Sequence, residues 1–127
     1  MVGIVETARL EAEIYAALIG DEELMGFLPK GEKSIFHLQA PSEYPDYPIL
    51  VYSPISDVPV LHGDNAENLH RVTIRIHIIT GEVDYSEIYA AVKRLMTALG
   101  FTRVQATPFI DDGKRMLVVD FKIVIGG

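Results

Sequence analysis

One stretch limits the possible folds more than any other. His70-Arg71-Val72-Thr73-Ile74-Arg75-Ile76-His77-Ile78 alternates without a break. Val72, Ile74, Ile76 and Ile78 fall on one side, and Arg71, Thr73, Arg75 and His77 on the other. A period of two belongs to a strand with one face buried, and a helix would scatter these residues around its circumference. The chain must therefore build a sheet whose two faces differ. Residues 115–125 repeat the pattern, with Leu117, Val119, Phe121, Ile123 and Ile125 on the core side. Residues 101–109 read as the strand before it, and Ile110-Asp111-Asp112-Gly113-Lys114 as the hairpin turn between them. A hairpin makes the sheet antiparallel.

Two amphipathic helices must cover the apolar face. In the first, Leu10, Ile14, Ala17 and Leu18 recur at helical spacing, with Thr7 as the expected N-cap and Gly20 as the stop. Asp21 then caps a short turn through Leu24, Met25 and Phe27, ended by Pro29 and Gly31. In the second, Asp84-Tyr85-Ser86-Glu87 has the form of a capping box before the stripe Ile88, Val92, Leu95, Met96 and Leu99. Residues 34–39 and Ile49-Leu50-Val51-Tyr52 supply further strands. Between them Pro41, Pro45 and Pro48 exclude a helix or a central strand. Tyr44, Tyr47 and Tyr52 around these prolines suit either pinning of that loop or a peptide-binding surface. Residues 54–67 read as a long loop, a length usually associated with function or mobility. The expected fold class is α+β: one domain over residues 1–127, a mostly antiparallel sheet with two main helices on one face.

The other sheet face carries Arg71, Thr73, Arg75 and His77 beside Met116, Val118, Asp120, Lys122 and Val124. It is too apolar to be simply wet and too charged to be a closed core. A subunit interface with embedded ion pairs fits, and a solvated face with scattered apolar residues is the other reading. The candidate interface is Arg71, Arg75, His77, Met116, Val118 and Lys122, and the candidate docking loop is Asp57, His62, Asp64 and Asn65.

Chemistry is harder to place. The 127 residues include no cysteine, which removes thiolate nucleophiles, disulfides and cysteine-ligated metals. His37, His62, His70 and His77 form no metal-ligand spacing, and the strand period sends His70 and His77 to opposite faces. Asp111-Asp112-Gly113 is turn chemistry. No serine sits in a nucleophile elbow, and no glycine-rich phosphate loop is present. No catalytic, cofactor-binding or metal residue is assigned, no cofactor is expected, and an enzyme is not the reading. A net charge of −7 argues against binding to nucleic acid through its phosphates. The apolar runs are too short to span a membrane, and a soluble chain made in the cytoplasm is expected.

In element order the chain resembles the tail completion, or tail-to-head joining, proteins of long-tailed bacteriophages and prophages. The resemblance rests on the first helix, Glu11 to Leu18, running into Asp21-Glu22-Glu23-Leu24. It rests further on Tyr47-Pro48-Ile49-Leu50-Val51-Tyr52, on His70 to Ile76, on the helix Ile88 to Leu95, and on the final Val119 to Ile123. It covers about residues 8–125. It implies a virion protein at the tail–head junction, assembled in the bacterial cytoplasm, which caps the tail tube as a hexameric ring and docks onto the head connector. The implied partners are further copies of itself, tail-tube protein and connector. No sequence-specific nucleic acid, membrane or catalytic residue comes with it. The competing reading is a small α+β ligand-binding or regulatory module, dimeric through the open sheet face.

Overall fold

The computed structural model describes residues 2–41, 46–60 and 69–126, with side chains from residue 7 onward. Helices α1 (Val2–Ile19) and α2 (Glu22–Phe27) lead through a single 3-10 turn into strand β1 (Ile35–His37). Strands β2 (Ile49–Pro59) and β3 (Leu69–Gly81) follow, then helix α3 (Ser86–Ala98), then the hairpin β4 (Thr102–Asp111) and β5 (Lys114–Gly126). The five strands form one sheet in the order β1-β2-β3-β5-β4, antiparallel except for the β1–β2 pair.

The sheet has the two unlike faces that the alternation demands. Val72, Ile74, Ile76 and Ile78 are all fully buried, as are Val119 and Phe121 on β5. Against them pack Leu10, Ile14 and Leu18 of α1, Leu24 of α2, and Ile88, Ala91, Val92 and Met96 of α3. The helices thus cover one face of an α+β fold. Asp21 holds two of them together. Its carboxylate caps α2 by accepting from the Leu24 N–H at 3.0 Å, and it accepts from Arg94 of α3 at 3.0 Å. The Leu24 N–H, aided by Arg94, holds its pKa below the usual carboxylate value against the opposing cost of burial.

Several expected boundaries move. Helix α1 begins at Val2, so Thr7 lies inside it and does not cap it; its hydroxyl donates instead to Asp57 at 3.0 Å. Helix α3 begins at Ser86 with Tyr85 at the N-cap position, and the Asp84 carboxylate accepts from the Ser86 N–H, one residue earlier than a capping box would. The hairpin turn is only Asp112 and Gly113, both at positive φ (53° and 78°), and Ile110 and Asp111 remain in the strand. Two left-handed residues match the twist of the flanking strands, so the turn needs no more.

The largest correction concerns residues 54–67. Strand β2 continues through Pro59, paired to β3 as far as Pro59–His70. Pro54 and Pro59 suggest a loop, but β1 ends at His37, opposite Tyr52. Beyond that level β2 is an edge strand, where a missing N–H is tolerated. A bulge between Pro54 and Ser56 takes up Ile55. Asp57 therefore sits in a strand. His62, Asp64 and Asn65 lie outside the described residues, as does Tyr44. Of the remaining tyrosines, Tyr47 packs against Gly81, which is held at φ 70°, and lies under the Lys114 ammonium 5.1 Å from its ring centroid. Tyr52 is core, stacked near Tyr15 with centroids 6.3 Å apart. Both pin the chain to the domain.

Candidate functional site: the open face of the sheet

Strand register brings the predicted interface residues together. Arg71 pairs with Val124, Thr73 with Lys122, Arg75 with Asp120, His77 with Val118 and Ile79 with Met116. All of them project from the side that the helices leave bare. Strand β4 extends the row through Gln105, Thr107 and Phe109, opposite Asp120, Val118 and Met116. Arg75, His77, Phe109, Met116 and Val118 line one concavity of about 510 Å³ on this face.

Polar groups form its floor. Arg75 donates from Nε and Nη2 to the two carboxylate oxygens of Asp120, at 2.8 and 3.0 Å. Gln105 donates a third bond to Asp120 at 2.8 Å. Asp120 is 3% exposed, although it stands on the face without helices. The Arg75 hydrogen bonds lower its pKa below the usual carboxylate value, in spite of burial, and Asp120 raises that of Arg75. Arg75 is thus bound within its own sheet, whereas Arg71 and Lys122 make no ion pair among the described residues and stay exposed. Beside the pair, His77 Nδ1 is buried with no hydrogen-bond partner among the described residues. Burial first, and the Arg75 charge second, push its pKa below 6.5.

One end of this face is closed. Ile49 and Val51 share it by register, yet they are only 1% and 5% exposed. Sequence reasoning reached the β3 and β5 residues of the site but missed Gln105 and Phe109. The signal was the parity of β4, which the bulge between Arg103 and Gln105 inverts partway along.

Among the described residues no group of three or more His, Asp or Glu could hold a metal ion. Among the described residues no helix is long and apolar enough to cross a membrane. The fold and face describe a two-layer α+β subunit whose distinguishing surface is a sheet half covered by its own chain. The chain belongs to the tail completion protein gp17 family, whose model matches residues 12–125, and it is a structural protein of a phage-type virion tail. Among solved structures, a chain in the virion of a native gene transfer agent particle has a similar fold, at TM-score 0.69 and 15% identity over 93% of this chain and 95% of that one. No curated protein sequence matches the chain.

Proposed function

We propose that the protein caps the finished tail tube and joins it to the head connector as a hexameric ring of identical subunits, each set head-to-tail against the next. The family match supports the tail role. The observation that carries the self-contact is the open face: apolar Met116, Val118 and Val124 set among Arg71, Arg75 and Lys122 on a chain of net charge −7. Its natural complement is the acidic helical layer of a neighbouring copy, where Glu11, Glu13 and Glu22 lie. Such a contact joins two different patches, and contacts of that kind close into rings when the rotation permits. The desolvated apolar centre supplies affinity and the rim charges set register.

The test reverses Arg71 and Lys122 together, Arg71→Glu with Lys122→Glu, and leaves Arg75 alone because it holds Asp120. The expected result is a folded subunit that no longer forms rings or completes tails. Rings and completed tails at the wild-type level would remove the open face from the interface.

A further inference from the structure

A head-to-tail contact needs two unlike patches, and the sheet is left unfinished at two diagonally opposite corners. At one corner the β4–β5 hairpin runs past the helical layer. By strand parity Leu117, Pro108, Ile110 and Arg115 share its helix-facing side; Leu117 is buried and the other three are exposed, and Ile110, 78% exposed at the hairpin's end, also borders the open-face concavity. Ile110 and Arg115 are direct cross-strand partners, so they form one knob, apolar on one side and cationic on the other. Arg115 makes no ion pair among the described residues.

At the other corner β2 has lost its outer neighbour. Leu38, at φ 73°, turns the chain away after β1, and β2 runs on beside α1 with β3 as its one strand partner among the described residues. A groove of about 410 Å³ opens between them. Its floor is Ala8, Pro54 and Ile55, and its rim carries the carboxylates of Glu11 and Asp57. Ile55 is the bulged residue and is 44% exposed. Glu11 pairs with His37, and Asp57 with His70 and Thr7, so neither meets a permanent cation there in those contacts.

Knob and groove match in kind: an aliphatic side chain beside a guanidinium, and an aliphatic floor beside two carboxylates. We infer that the β4–β5 hairpin of one copy hooks into the α1–β2 groove of the next, with Ile110 on Ile55 and Arg115 between Glu11 and Asp57. The inference rests on the head-to-tail self-assembly proposed above and names the second contact of that assembly. Within one subunit the two corners lie at opposite ends and opposite edges of the sheet, so the hairpin cannot fill the groove of its own subunit. Along β3 they are about seven residues apart, roughly 25 Å, which sets the strands oblique to the axis of the assembly.

The absence of native cysteine makes the test clean. Tails are assembled from a chain carrying Ile55→Cys and Ile110→Cys, treated with a short bismaleimide, and run on a denaturing gel. The expected result is a ladder of dimer, trimer and upward to a closed covalent ring, with each single variant remaining monomeric. Adding Arg115→Glu should abolish the ladder, and a ladder that persists would remove the charge from the contact. Absence of a ladder in tails that hold several copies overturns the hook and leaves the ring standing. A single copy per tail overturns the self-assembly beneath it. Dimers from Ile110→Cys alone would show hairpins meeting about a two-fold axis, which overturns the head-to-tail arrangement. The pair Ala8→Cys with Pro108→Cys, the latter exposed and on the same side of the hairpin as Ile110, repeats the test should the first pair fail to fold.

Discussion

The Arg75–Asp120 pair gives the most exacting prediction, because it isolates what this face does for the fold. Asp120 is 3% exposed and accepts two bonds from Arg75 and one from Gln105. Arg75→Met removes two of the three donors and strands a carboxylate away from water. Breaking a fully buried pair from one side costs about 3–5 kcal/mol. The Arg75 side chain is 35% exposed, so water reaches the gap, and the expected cost falls to about 2–3 kcal/mol. At about 3–5 °C per kcal/mol for a domain of this size, Tm should drop by roughly 6–15 °C. Replacing both partners, Arg75→Met with Asp120→Leu, leaves no stranded charge, and the double variant should lie within about 1 kcal/mol of wild type. The assay is urea unfolding of all four members of the cycle at pH 7, with an unchanged m-value as the check that only stability moved. The pair also produces a pH limb. Because the folded pKa of Asp120 is depressed, its contribution is present above the unfolded value near 3.9 and is lost as pH falls through the folded value. That limb should be missing from the double variant. Additivity of the two single changes to within about 0.5 kcal/mol would refute the coupling, and Arg75 would then be a surface residue that happens to lie near a carboxylate.

Two further expectations follow from burial. Phe121 is fully buried under the helices, and Phe121→Ala should cost about 3–5 kcal/mol in denaturant unfolding; a loss below about 1 kcal/mol would mean that the core does not close around it. His77 has a folded pKa below 6.5, so the unfolded chain binds the extra proton first and stability should decline as pH falls from about 6.5 toward the folded value. His77→Leu should flatten that slope in melts between pH 7 and 5, and an unchanged slope would assign it to other groups.

Much of this was legible because periodicity is a strong signal when burial enforces it. Val72 to Ile78 and Leu117 to Phe121 could only be placed one way, and the helical stripe from Ile88 to Met96 follows from the same rule. Asp21 was readable as a cap because a carboxylate just before Leu24 meets free N–H groups. The illegible parts depend on neighbours that local sequence does not contain. Pro54 and Pro59 look like loop residues unless it is known that β1 stops at His37 and leaves β2 at an edge. Thr7 looks like a cap unless Asp57 is known to sit across from it. The Arg75–Asp120 pair joins residues 45 apart, and only strand register shows that they are opposite one another. The site was therefore visible as a list of residues on one face. Which of its charges were already taken was not.

The polar floor of the open face also bears on the order of events. A bare sheet face built only from residues like Met116, Val118 and Val124 would gain by covering itself with whatever apolar surface it met first, including another subunit stacked face to face. Setting a hydrogen-bonded ion pair in the middle changes that balance. Any partner that covers Arg75 must strip water from a guanidinium that is still one-third exposed, and only a surface bringing matching polar groups recovers the loss. In the assembly proposed above, subunits carrying this face would accumulate without clumping and wait for a surface whose charges fit. The pair would act there as a latch on timing, withholding association from early, approximate encounters and permitting it where polar groups match.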